Sequence, residues 1–196
     1  MISPTDFKEL LKSGTPLRDV FRDYVISDDV WLLTREFGAN SPEKYNQLKS
    51  IIGNKLGVEP TKIYIVGGSK LGFSQNPHHP FREFDNERSD IDVVIINPKL
   101  FKKYADLLLE NFYTNGKYVE TRHMENVFKR FVNIKARDLD RLSSEFRDLR
   151  NQFGEMQSEL FVKFTISNKL NFRIYNDLDA VEKYHIKGLE DLRRTL

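Results

Sequence analysis

The sequence predicts an α+β or mixed α/β domain, and three observations carry that prediction. Two short runs, KIYIVGG at 62–68 and DIDVVIIN at 90–97, have strand composition and meet turn residues at one end. A third stretch alternates strand-like residues in ELFVKFTIS and LNFRIYND around NKL, the pattern of a hairpin. The segments around these runs repeat apolar residues at helical spacing. The resulting order is helices, strand, strand, helices, hairpin, helix.

Taken in order, PTDFKELLKSG reads as a short helix, with Phe7, Leu10 and Leu11 on one face and Gly14 to stop it. PLRDVFRDYVISDDVWLL keeps helical spacing at Leu17, Val20, Phe21 and Tyr24. SPEKYNQLKSIIGNKLG is the clearest helix. Ser41 can cap it, Pro42 suits its first turn and Gly57 suits a left-handed stop. Its buried stripe is Tyr45, Leu48, Ile51, Ile52 and Leu56. In the second strand, the unbroken apolar run Val93 to Ile96 implies burial on both faces. LFKKYADLLLENFYTNG is a helix with Leu100, Tyr104, Leu107, Leu108 and Phe112 on one side. VFKRFVNIKARDLDRLSSEFRDLRNQFG reads as helical with an interruption near Asn133, and LDAVEKYHIKGLEDLRR closes the chain as a helix.

At 196 residues, with 39% hydrophobic and 31% charged residues, the chain can bury a core and is not of disordered composition. No stretch approaches the ~20 apolar residues that span a bilayer, and the start lacks a signal-peptide pattern, so a cytoplasmic, non-membrane protein is expected. The absence of cysteine excludes a disulfide framework and a thiolate metal site. A net charge of +2 does not announce a nucleic-acid binder. The basic run at 126–141, with Lys129, Arg130, Lys135 and Arg137, is either a solvated helix face or a patch that meets phosphates. Trp31 and the phenylalanines read as core, and His123 and His185 as surface positions on their elements.

The chemistry concentrates at the two strand ends. Side chains alternate across a strand, so Asp90 and Asp92 point to one face. Two neighbouring carboxylates repel unless a cation lies between them, and Mg²⁺ takes such oxygen ligands while keeping sites for phosphate. Upstream, Gly67 and Gly68 lack Cβ atoms and let backbone and ligand approach, while Ser69 adds a hydroxyl beside Lys70. The spacing is neither that of a Walker loop nor that of a dinucleotide turn.

A strand ending in Gly-Gly-Ser followed by one opening Asp-Ile-Asp resembles the nucleotidyltransferase superfamily of DNA polymerase beta, over roughly 41–97. The resemblance implies a nucleotidyltransferase-like mixed β-sheet packed with helices, as one domain over 1–196. Residues 1–40 would form a helical extension and 41–196 the catalytic core. It implies Gly67, Gly68, Ser69 and Lys70 at the nucleotide, and Asp90 and Asp92 as ligands of Mg²⁺ or Mn²⁺. The implied reaction moves NMP or dNMP from a nucleoside triphosphate to a hydroxyl of a protein side chain, an RNA end or an oligonucleotide. By analogy with small bacterial members, a cognate effector or toxin protein in antiphage or toxin–antitoxin defence is a further expected partner.

The pattern departs from that family twice. Asp90 lies 21 positions after Ser69, so QNPHHPFREFDNER is an inserted loop, whose Arg82 and Arg88 can meet nucleotide or acceptor; its adjacent His78 and His79 make poor chelators. The third carboxylate is replaced by Asn171, whose amide oxygen can ligate a cation but brings no charge. Glu159 or Asp177 could substitute, and Arg173, on the face of Asn171, could balance phosphate charge. The alternative is a degenerate fold that binds nucleotide or a partner protein without turnover.

Overall fold

The computed structural model of the chain describes residues 1–86, 88–115, 120–133 and 144–196. The N-terminal helices are α1 (Pro4–Lys12), α2 (Leu17–Val20), which runs into a π-helical turn at Phe21–Val25, α3 (Trp31–Phe37) and α4 (Ser41–Leu56). Then follow β1 (Ile63–Val66), the single turn α5 (Gly68–Leu71), β2 (Ile91–Ile96), α6 (Pro98–Asn115), α7 (Thr121–Phe128) and β3 (Phe131–Val132). The chain closes with α8 (Ser144–Phe164), β4 (Leu170–Tyr175) and α9 (Leu178–Arg193).

The result is an α+β fold around a mixed, open, four-stranded sheet of order β1-β2-β4-β3. β1 runs antiparallel to β2, β2 parallel to β4, and β3 antiparallel to β4. The period of two in each strand sorts side chains into two apolar layers. Ile63, Ile65, Ile91, Val93, Ile95, Phe172 and Ile174 face a layer built with α4, α6 and α8. Val66, Val94, Phe131 and Tyr175 face the other, covered by α1, the π-helical turn and α9. On this second face Asp92, Asn171 and Arg173 interrupt the apolar surface, which is how the sheet comes to carry a polar site.

Several sequence expectations are corrected. The hairpin does not form: Glu159 to Phe164 belongs to α8, and only Leu170–Tyr175 is a strand. Phe146, Leu149, Met156, Leu160 and Phe164 are all buried at helical spacing, so the long apolar stripe overrides the strand-like composition of its last turn. Helix also gives way to strand at Phe131–Val132. Arg130 sits at φ 61° and its carbonyl accepts from the Asn176 amide, which ends α7 and starts the pairing with β4. Positions 134–143, including Lys135 and Arg137 of the basic run, lie outside the described residues. His123 and His185 are buried rather than superficial, whereas Phe112 is 39% exposed. The cap of α4 is Asn40 and Ser41 is its first helical residue, because a short 3₁₀ turn at Gly38–Asn40 feeds into it. Gly57 ends that helix in the left-handed conformation, as expected.

Candidate functional site

At the start of β2 and the end of β1 the face covered by α9 opens into a cleft of about 1150 Å³. Its lining includes Gly67, Gly68, Asp90, Asp92, Asn171 and Arg173. The sheet register explains the convergence. Val66 pairs with Asp92, which puts the glycine turn beside the carboxylate, and Asp92 pairs with Asn171 across the parallel β2–β4 ladder. Asp90 lies just before β2, two residues from Asp92 and on the same cleft.

Gly67 has a reason to be glycine. Its φ of 72° and ψ of −145° belong to a region essentially closed to residues with a Cβ, and a Cβ there would stand 2.9 Å from Asp92 Oδ2. The chain therefore reverses in the space directly against the carboxylate. Gly68 then starts α5, and the first amides of a helical turn have no intrahelical acceptor.

Asp92 is held on one side. Asn171 Nδ2 donates to Asp92 Oδ1 at 2.6 Å, and Arg173 Nη2 donates to the same oxygen at 3.4 Å. Among the described residues no hydrogen bond reaches Oδ2. Asn133 Nδ2, immediately after β3, donates to Asn171 Oδ1 at 2.9 Å and to the Phe172 carbonyl at 3.2 Å. Burial works against the charge of Arg173, but Asp92 and the nearby Tyr184 and Tyr175 outweigh it and hold its pKa above the ordinary value. Its guanidinium also stands 5.2 Å from the centre of the Tyr184 ring.

Not every expected site residue reaches the cleft. Ser69 is fully buried, with its hydroxyl donating to the Val66 carbonyl at 3.3 Å. Lys70 is also buried and points away, into the loop before α3. Its ammonium donates to the Ser27 carbonyl at 2.5 Å, to Ser27 Oγ at 2.9 Å and to the Asp29 carbonyl. Burial pulls its pKa down to about 8, against the pull of Asp29 and Asp28. Lys70 thus ties the N-terminal helices to the glycine turn instead of contacting the cleft.

The two substitute acids are elsewhere. Glu159 sits on α8, paired with Lys163 at 2.9 Å and bordering a separate groove. Asp177 caps α9: Oδ1 accepts from the Ala180 amide at 2.8 Å, and Oδ2 accepts from Arg130 at 2.9 Å. The inserted loop lines the cleft through Gln75, Asn76, Pro77, Arg82, Glu83, Phe84 and Arg88, whereas His78 and His79 are not in the lining. Among the described residues no group of three or more His, Cys, Asp or Glu side chains could hold a metal ion. Besides Asp90 and Asp92, the acids in the cleft lining are Glu83, Asp179 and Asp191.

Sequence reading missed the wall opposite the sheet. Lys183, Tyr184, Lys187 and Gly188 of α9 line it. Their spacing of three and four was visible as a helical stripe, but nothing marked it as facing the strand ends. His185, also in the wall, has its pKa pushed down to about 3 by burial and then by Arg173, so it is neutral. Asn133 marked only an interruption of the helical pattern and gave no sign of a role at the site.

Comparison with protein-family models, with curated proteins and with solved structures returned no match to this chain. No helix among the described residues is long and apolar enough to cross a membrane.

Proposed function

We propose that the cleft binds a nucleoside triphosphate and transfers its nucleotidyl group to a hydroxyl acceptor, in a fold of the DNA polymerase beta-like nucleotidyltransferase type. One observation carries the reading. The Gly67–Gly68 turn, Asp92 and Asn171 come from three strand ends and meet within one cleft, with the place of a Gly67 Cβ only 2.9 Å from Asp92 Oδ2. A turn without side chains beside a carboxylate lets a phosphate and its counter-cation approach together.

The donor set fits a divalent cation such as Mg²⁺ or Mn²⁺ at Asp90 and Asp92. Both carboxylates line the cleft, and Asp92 Oδ2 carries no hydrogen bond among the described residues. Bound there, the cation would supply Lewis acidity toward the acceptor hydroxyl and the phosphates. The chain's own residues orient the substrate. The Gly67–Gly68 backbone seats the phosphates, and Arg173 offsets charge at the α-phosphate. Tyr184 and α9 close the side away from solvent. In the reaction the acceptor oxygen bonds to the α-phosphorus, the bond from that phosphorus to the bridging oxygen breaks, pyrophosphate leaves and the hydroxyl proton is released.

The test is transfer of label from each α-labelled NTP and dNTP to protein or RNA acceptors with Mg²⁺ or Mn²⁺. Transfer by the parent and none by an Asp90→Ala, Asp92→Ala double variant supports the reading; equal signals from both refute it.

A second reading is favoured by Arg173 and Asn171. Both direct donors at Asp92, and Asn171 stands where the family pattern has a third acid. A module that binds nucleotide or a partner protein without turnover would keep this arrangement. Nucleotide binding with no product under any metal or acceptor condition would select it.

A further inference from the structure

The hydrogen bonds behind Asp92 run in one direction. Asn133 Nδ2 faces the Phe172 carbonyl and Asn171 Oδ1, and Asn171 Nδ2 faces Asp92 Oδ1. A peptide carbonyl only accepts, so Asn133 must present its nitrogen to Phe172. That nitrogen also meets the Asn171 side chain, which answers with its oxygen. At the other end an ionised carboxylate only accepts, and it takes the Asn171 nitrogen. Amide orientations follow from the surrounding network. Here both ends of the network are fixed acceptors, so turning either amide sets oxygen against oxygen.

We infer that Asn133 is a positioning residue that makes Asn171 a hydrogen-bond donor toward the cleft. Asn171 and Arg173 then form a seat for a phosphate oxygen, and a divalent cation is left to Asp90 and Asp92. This rests on the reading of the cleft as a nucleotide site. The Asn171 amide has two hydrogens and Asp92 uses one, while Arg173 gives Asp92 one long contact from five N–H groups. Both side chains line the cleft, so their remaining donors can meet an anion there. The third position is thus chemically inverted: where an acid would attract a cation, this chain offers N–H to an anion.

The experiment separates the two ligands. Affinity for inorganic tripolyphosphate is measured in EDTA, and affinity for Mn²⁺ without phosphate, for the parent, Asn133→Leu, Asn171→Ala and the double variant. Asn133→Leu should weaken tripolyphosphate about tenfold, the scale of one charge-assisted hydrogen bond, and leave Mn²⁺ binding intact. The loss should vanish in the Asn171→Ala background, because Asn133 acts through Asn171. Asn133→Asp provides a polar second variant. Its carboxylate cannot donate to Asn171 Oδ1 or to the Phe172 carbonyl, so Asn171 loses its orienting donor and tripolyphosphate should weaken as in Asn133→Leu. Parallel losses for both ligands with a lowered Tm, an Asn133→Leu effect undiminished in the Asn171→Ala background, or a parent that binds no tripolyphosphate would each overturn the inference. Tripolyphosphate binding with the expected pattern but no nucleotidyl transfer would uphold the donor seat and count against the transferase reading alone.

Discussion

Replacing Gly67 with alanine tests the packing of the glycine turn against the carboxylate. The residue holds φ 72° and ψ −145°, and an added Cβ would lie 2.9 Å from Asp92 Oδ2. Holding a non-glycine residue in such a region costs on the order of 1–3 kcal/mol. The carboxylate must also move, at the expense of its 2.6 Å bond from Asn171. A hydrogen bond to a charged group contributes about 1.5–3 kcal/mol, so the combined loss is about 2.5–6 kcal/mol. With an unfolding slope of ~2 kcal/mol/M, Gly67→Ala should lower the urea midpoint by about 1–3 M. Gly154→Ala is the control. That glycine lies within α8 with nothing within 4 Å of an added Cβ, so alanine should stabilise by about 0.5–1 kcal/mol. Equilibrium urea unfolding followed by circular dichroism reads both. A Gly67→Ala midpoint indistinguishable from the parent's would refute the claim that the turn needs glycine because Asp92 packs against it.

Other outcomes follow from the same geometry. His185 is neutral in the fold, its pKa pushed down to about 3, while an unfolded histidine titrates near ~6.5. The unfolded chain therefore takes up a proton that the fold refuses, and stability falls as pH drops from about 6.5 toward 3. Between pH 7 and 5 this histidine should remove about 2 kcal/mol, a loss that His185→Phe abolishes when the pH dependence of urea midpoints is compared. Lys70→Met should destabilise by about 1–3 kcal/mol, because it strips the donor from two loop carbonyls, and melting temperatures will show it. Asp177→Ala should cost about 1–2 kcal/mol through loss of the α9 cap, yet leave Mn²⁺ affinity unchanged, since this acid stands outside the cleft.

The sequence made some of this legible and hid the rest for identifiable reasons. Strand period and turn chemistry are local, so β1, β2 and β4 could be read directly, together with the left-handed stop at Gly57. The juxtaposition of Asp92 with Asn171 was accessible only through the resemblance, and the register of β2 with β4 puts them side by side. Alpha helix α8 was misread at its end because Leu160 to Phe164 has strand composition, while the deciding stripe starts at Phe146 and needs a longer window. Lys70 looked like a phosphate ligand because it follows the glycine turn. Its acceptors, Ser27 and Asp29, are about forty residues upstream and become partners only when the N-terminal helices fold back. His185 was misplaced for a similar reason: its burial depends on Phe21 stacking at 6.1 Å from the other end of the chain.

The central claim is that phosphates and a divalent cation meet between the Gly67–Gly68 turn and the Asp90–Asp92 pair. The most direct measurement is a crystal structure with Mn²⁺ and an NTP analogue whose α–β bridge resists cleavage, recorded at the manganese absorption edge. The account predicts anomalous density at Asp90 and Asp92, with the triphosphate over Gly67 and Gly68 and a phosphate oxygen within hydrogen-bond reach of Asn171 and Arg173. Ordered nucleotide or manganese bound elsewhere, with this cleft empty, would contradict it.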